Sequence, residues 1–155
     1  MADFHSSIKP HLHAACLAHV QQRIAAAEAA MHAAQESANS ETKSSAGDKY
    51  ETGRAMAHEE RNRNAVQLQE ALKLRAELER INPAAPCDTV RPGALVQTSM
   101  GTFYISISAG KLAVDGAAEV FAVSAAAPVA AALSGRRAGE EAVFNGKTVR
   151  ILAIQ

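Results

Sequence analysis

INPAAPCDTVRPG, residues 81–93, is the stretch at which the composition of this 155-residue chain changes. Seven of the nine glycines and four of the five prolines lie after residue 82, whereas all six histidines lie before it. Glycine and proline interrupt helices and form turns. The change therefore predicts a helical region at residues 1–82, a linker at 83–92 and a turn-rich domain at 93–155.

Apolar side chains before this stretch recur three and four residues apart, which is the spacing of one buried helix face. The pattern predicts two helices, at residues 9–43 and 48–81. The first buried face comprises Ile8, Leu12, Cys16, Val20, Ile24, Ala27, Met31, Ala34 and Ala38. The second comprises Ala65, Leu68, Ala71, Leu72, Leu78 and Ile81, broadened by Val66 and Leu74. Because the connection SSAG is short and Gly47 can adopt the left-handed conformation, we expect an antiparallel hairpin with its turn at about residues 44–51.

After the linker, apolar and polar residues alternate as they do in β-strands. The predicted strands are ALVQT, GTFYISIS, KLAVD, EVFAVS and the hairpin EEAVF-NG-KTVRILAI, whose Asn-Gly suits a two-residue turn. Between them, APVAAALSG predicts a short helix with Pro128 in its first turn and Gly135 just beyond its end. About five strands and one short helix make a small α+β domain.

The overall composition argues against several classes of function. Sixteen basic and sixteen acidic residues give a net charge of zero, which disfavours a nucleic-acid coat or a polybasic membrane anchor. No segment predicts a signal peptide or a membrane span. Cys16 and Cys87 belong to no Cys-x-x-Cys pair, so we expect unpaired thiols in a cytoplasmic protein.

His11 and His13 are the histidine pair whose spacing first suggests a metal site. Side chains two residues apart on a helix point about 200° away from each other, so these two cannot share an ion. We expect them to be solvated or partly packed.

Asp48 and Glu51 are the candidate functional residues, three positions apart and directly after Gly47. Their spacing suits a capping box, in which Asp48 accepts a hydrogen bond from a backbone amide and Glu51 reaches back to the cap. The same spacing places two carboxylates within one helical turn, and Mg²⁺ usually takes only one or two carboxylates from a protein. The two interpretations are compatible, because a cap also holds its acidic side chains in place.

This order of parts resembles the Gre transcript-cleavage factors (GreA/GreB), a family of bacterial transcription elongation factors, over essentially the whole chain. The family carries a Gly-Asp-x-x-Glu motif at the end of an antiparallel coiled coil, which corresponds here to residues 47–51. Its last strands and short helix correspond to AVSAAAPVAAALSGRRAGEEAVFNGKTVRILAI. Residues 51–55, the Ala127-Pro128 pair and Glu140 depart from the family pattern, which indicates a divergent branch.

The resemblance implies an N-terminal coiled-coil hairpin followed by an FKBP-like α+β domain, acting as a monomer. It implies that the protein binds bacterial RNA polymerase through the secondary channel, with Pro128, Val129 and Arg136 at the docking surface. Asp48 and Glu51 would then be lent to the active-site Mg²⁺ of the polymerase, near the 3′ end of the nascent RNA. The protein would stimulate cleavage of backtracked RNA without an intrinsic cofactor and without being an enzyme itself, and it would make no contact with a membrane.

Two alternatives stay open. Thr52 and Gly53 stand where the family has Asn-Ala, so the protein could occupy the channel as a modulator or inhibitor without cleavage activity. An FKBP-like chaperone or prolyl isomerase with a coiled-coil dimerisation arm is a function of another class. The scarcity of large apolar side chains near the turn argues against a dimer seam along the whole arm.

Overall fold

The chain folds as a long helical hairpin followed by a mixed β-sheet domain, which confirms the predicted α+β class. The computed structural model describes residues 8–41, 47–114 and 119–155, and at positions 41 and 47–50 it describes the backbone alone. Helix α1 is Ile8–Glu41 and helix α2 is Gly47–Glu79. Both match the predicted helices to within two residues, which is the usual uncertainty of a helix end. Neither has the combination of length and apolar composition that a bilayer crossing requires, nor does any other helix in the described ranges.

The predicted apolar faces of the two helices are buried or half-buried, with one exception. In α1 the buried members are Leu12, Cys16, Val20, Ile24, Ala27, Ala34 and Ala38, and Ile8 and Met31 are half-buried. In α2 the buried members are Ala71 and Leu78, and Ala65, Leu68, Leu72, Leu74 and Ile81 are half-buried. The broadening expected at Val66 is wrong, because this side chain is 57% exposed.

Within the described ranges, six strands form one mixed sheet, against about five predicted, because the last predicted segment is a hairpin of two strands. The strands are β1 (Leu95–Thr98), β2 (Gly101–Ser106), β3 (Gly110–Leu112), β4 (Val120–Ser124), β5 (Glu141–Phe144) and β6 (Lys147–Ile154). Their order across the sheet is β3-β4-β2-β1-β6-β5. Strands β2 and β4 run parallel, and all the other pairs are antiparallel.

The hairpin of β5 and β6 turns at Asn145 and Gly146, as the sequence predicts. Both residues have positive φ, 54° and 74°, which is the conformation of a type I′ turn. Asparagine and glycine tolerate this region better than other residues do. The turn therefore fixes the register in which Phe144 pairs with Lys147.

Strand β2 has a different partner on each face of the sheet, because successive side chains of a strand point in opposite directions. Phe103 and Ile105 join the core cluster, to which the short helix α3 (Pro128–Leu133) contributes Ala130 and Leu133. The rest of the cluster consists of Cys87, Val90, Ala94, Val96, Ala142, Val149 and Ile151. On the opposite face, Tyr104 and Ser106 contact side chains of α1.

The chain divides into two compact units by its contacts. One unit is Val20–Arg75, which contains only helix among its described residues. The other combines Ala76–Gln155 with the described residues 8–19, so the first turns of α1 belong with the sheet. These boundaries lie away from residue 82, and the assignment of domains from composition stays a prediction.

Replacing Ile151 by alanine is expected to lower the free energy of unfolding of the sheet unit by about 2–5 kcal/mol, because the side chain is fully buried. Its neighbour Leu152 is 54% exposed, so Leu152→Ala is the matched control and should change stability by less than about 0.5 kcal/mol. Urea denaturation followed by circular dichroism measures both. Equal losses for the two variants would contradict the burial pattern.

Replacing Ala34 by leucine is expected to destabilise the helical unit by about 1–3 kcal/mol, because a larger side chain overpacks a buried seam. Ala34 is buried and the adjacent Ala33 is exposed. Ala33→Leu makes the same chemical change on the outer face and should be nearly neutral. Thermal unfolding of both variants, followed by the helical circular dichroism signal, tests the difference, and a destabilised Ala33→Leu would argue against the seam.

Candidate functional site at the turn of the helical hairpin

The buried side chains between α1 and α2 become smaller toward the turn. Val20 and Ile24 are the larger buried side chains at one end, and Ala34, Ala38 and Ala57 are the buried ones nearer the turn. Residues of both helices line a groove of about 380 Å³. The lining residues are Arg23, Ala26, Ala27, Ala30, Asn64 and Gln67. Residues 23–30 therefore lie beside residues 64–67, as the predicted antiparallel pairing requires.

The predicted acidic pair lies in the first turns of α2. Helix α2 begins at Gly47, one residue before the predicted start, so Asp48 and Glu51 both fall within it. Glu51 is exposed. The side chain of Asp48 lies outside the described residues, and with it the predicted capping box. What the described part establishes is a surface carboxylate, Glu51, at the turn end of the hairpin.

Pro128 and Val129, two of the predicted docking residues, begin α3, and the third, Arg136, follows three residues after its end. Pro128 is the first residue of this helix, where the amide that proline lacks would have no helical partner. Its side chain is exposed. Val129 is half-buried against the core cluster. The exposed Arg136 donates from Nε to the carbonyl oxygen of Ala132 at 3.3 Å. Pro128 at the start of α3 and Arg136 beyond its end thus present surface side chains, whereas Val129 packs against the core.

A polar row on the buried face of α1 was not identified from the sequence as a group. It consists of Lys9, His13 and Cys16, all of which are buried. Nδ1 of His13 lies 2.9 Å from the hydroxyl of Tyr104, and Sγ of Cys16 lies 3.6 Å from Oγ of Ser106. The spacing by four and three residues was the available signal, because it places all three residues on one helix face.

His11 and His13 lie in different surroundings, as expected for residues two apart on a helix. His11 is exposed, whereas His13 is only 8% exposed. The expectation that His11 and His13 do not share a metal ion stays a prediction. Within the described ranges, no three histidine, cysteine or acidic side chains group closely enough to hold a metal ion.

Burial determines the electrostatics of this row. Desolvation lowers the pKa of Lys9 and of His13, because both carry a charge when protonated. Desolvation raises the pKa of the Cys16 thiol, and it raises the pKa of Tyr104 far above its usual range. All four shifts favour the uncharged form of the side chain in the folded protein.

Comparison with known proteins gives one structural match. The sequence matches no protein-family model and no curated protein. The chain is similar to the crystal structure of the GreA factor homolog 1 protein of Thermus thermophilus, with 18% sequence identity and a TM-score of 0.35. The match covers 88% of this chain and 92% of that one. A match at this identity and TM-score assigns neither a family nor a function to this chain.

Folding stability is expected to fall as the pH drops below about 6.5, in part because of His13. Burial lowers the pKa of His13 in the folded state, so between that value and about 6.5 the unfolded chain binds a proton that the folded chain does not. Stability therefore rises with pH in this window, by at most about 1.4 kcal/mol per pH unit for one group.

The variant His13→Gln keeps an acceptor for the Tyr104 hydroxyl but cannot titrate, so it should reduce this slope. His11→Gln makes the same chemical change at an exposed position of the same helix and is the matched control. Urea denaturation at a series of pH values between 5 and 8 compares the three proteins. A wild-type slope that persists in His13→Gln would contradict the assignment.

Proposed function

We propose that this protein binds bacterial RNA polymerase and stimulates cleavage of backtracked RNA by lending Asp48 and Glu51 to the active-site Mg²⁺. The observation that carries the proposal is the position of the Gly47-Asp48-x-x-Glu51 sequence. It occupies the first turns of α2, directly after the turn of the helical hairpin. The proposal therefore assigns the function to the turn end of the hairpin.

The shape of the helical unit supports this assignment. From Val20 to the end of α1 at Glu41 the helix extends about 30 Å, at 1.5 Å per residue. Alanines at the seam allow the two helices to approach closely, since interaxial distance follows side-chain size. A thin hairpin of this length can carry two carboxylates into a channel that would not admit a globular domain.

The chemistry of RNA hydrolysis also supports the proposal that Asp48 and Glu51 act at the active-site Mg²⁺. Hydrolysis of RNA by in-line attack is assisted by two divalent ions, which activate the water and stabilise the leaving oxygen. Carboxylates added by a second protein can complete the coordination of a weakly held Mg²⁺. We assign Asp48 to contact the metal ion, and Glu51 to orient the attacking water or to provide a second metal contact.

The polymerase supplies the remaining ligands and the substrate, so the protein acts in this proposal as a cofactor of the polymerase and not as an enzyme. It needs no cofactor of its own. Docking is proposed at α3, where Pro128 and Arg136 offer an apolar and a cationic side chain at the surface. The proposed partner is the polymerase alone, bound by one copy of this chain.

Asp48→Asn and Glu51→Gln are expected to reduce transcript cleavage on the order of 100-fold, the scale of a lost positioned carboxylate. Both variants remove a charge and keep the shape of the side chain. The measurement uses purified bacterial RNA polymerase stalled in a backtracked complex with end-labelled RNA and Mg²⁺, and it follows the release of short 3′ fragments.

Glu59→Gln is the matched control, because Glu59 is an exposed acidic residue of α2 farther from the turn. It should cleave as the wild type does. Binding without cleavage by the wild type, together with slowed elongation, would replace the proposal by the channel-binding modulator. No effect on the polymerase at all would refute both, and activity on proline peptides would then be the property to measure.

A further inference from the structure

The first turn of α1 brings a buried amine next to a buried thiol. Lys9 is 2% exposed although it is a lysine, and lysines are rarely buried without a partner. Its Nζ donates a hydrogen bond to the carbonyl oxygen of Ala85 at 2.8 Å and lies 3.9 Å from Sγ of Cys87. Residues 9 and 87 are 78 positions apart in the chain, so only the fold makes this pair.

Cys87 lines two cavities. Cys87 lines a cavity of about 570 Å³ together with Arg80, Arg91 and Ser106, among others. With Lys9 it lines a second cavity of about 390 Å³, beside Ala85 and Ile154. Both volumes greatly exceed the space that one water molecule or one hydroperoxide needs. A small oxidant can therefore approach the sulfur although the residue itself is buried.

We propose that Cys87 and Lys9 form a redox-sensitive pair in which hydroperoxide oxidation of the thiol leads to a covalent sulfur–nitrogen bond, a sulfenamide. In the first step the sulfur of Cys87 attacks a peroxide oxygen, giving the sulfenic acid and one water. In the second step the neutral amine of Lys9 attacks that sulfur, the S–O bond breaks, and a second water leaves. The thiol and the amine each lose one hydrogen, and hydrogen peroxide is reduced to two water molecules.

The surroundings of Lys9 favour the second step. An amine is a nucleophile only when it is unprotonated, and burial lowers the pKa of Lys9 from its ordinary value. The hydrogen bond to Ala85 holds Nζ on the side of Cys87. Approach from 3.9 Å to bonding distance needs a small movement of one flexible side chain.

Cys16 provides an internal comparison. It is also buried, on the inner face of α1, but its polar neighbour is the hydroxyl of Ser106 and not an amine. Burial raises the pKa of the Cys16 thiol, which disfavours the reactive thiolate. The structure therefore predicts that oxidation distinguishes the two cysteines.

The bond would connect the start of α1 to the segment between α2 and β1. A cross-link between residues so far apart in sequence restricts the unfolded chain. We expect the oxidised protein to unfold at a temperature higher by at least about 5 °C. This consequence does not depend on the proposed binding to RNA polymerase.

The experiment treats the full chain carrying Cys16→Ser with increasing hydrogen peroxide, so that Cys87 is the remaining thiol. The expected product is lighter than the parent by two hydrogen atoms, yields a linked pair of peptides containing Lys9 and Cys87, and returns to the parent mass with dithiothreitol. Lys9→Arg in the same background keeps the positive charge and should give no such product. Circular dichroism establishes that this variant is folded.

Three results would overturn the proposal. One is a sulfinic acid at Cys87 as the first stable product, and another is a linkage of Cys87 to a different lysine. The third is a wild-type protein in which Cys16 is oxidised faster than Cys87. Peptide mapping of the Cys16→Ser protein decides the first two even if Lys9→Arg fails to fold.

Discussion

The contact on which the rest of the structure depends is the hydrogen bond between His13 and the fully buried Tyr104. A buried hydroxyl left without a partner costs about 1–3 kcal/mol. Rotation of α1 about its own axis, or a slip along it, would separate the two groups and would also remove Lys9 from Ala85 and Cys16 from Ser106. The apolar contacts of α1 favour burial of one face, and the polar pairs His13–Tyr104 and Cys16–Ser106 fix which turn of the helix meets which residue of β2.

The same contact explains why composition and contacts divide the chain differently. Composition records where helix-forming residues end, which is near residue 82. Contacts record which residues share a core, and α1 contributes Leu12 and Cys16 to the unit that contains the sheet. A continuous helix can belong to two compact units because its hydrogen bonds are internal, so it needs no break where its buried face changes partner.

Much of the secondary structure could be predicted from local signals: the helical spacing from Ile8 to Ala38, Pro128 at the start of α3, and Asn145-Gly146 at a hairpin turn. Pairings between distant segments could not. The parallel alignment of β2 with β4 has no local signature, because its register is set by packing on both faces of the sheet. The burial of Lys9 contradicts the usual behaviour of lysine and depends on a carbonyl 76 residues away. For the candidate site, the acidic residues could be predicted from a short sequence motif. The partial burial of Val129 and the exposure of Arg136 could be read only from the folded structure.

The seam of the hairpin gives the two ends of the helical unit different stability. Each buried methylene contributes about 0.8 kcal/mol, so Val20 and Ile24 stabilise their end more than Ala34, Ala38 and Ala57 stabilise the end near the turn. Alanine compensates partly through its high helix propensity, which acts within each helix and does not join the two. Local stability is therefore expected to decline toward the turn. In the proposed function this is where Asp48 and Glu51 meet a metal ion. Part of the binding energy would then be used to fix their geometry, so affinity and cleavage should respond separately to changes in the seam.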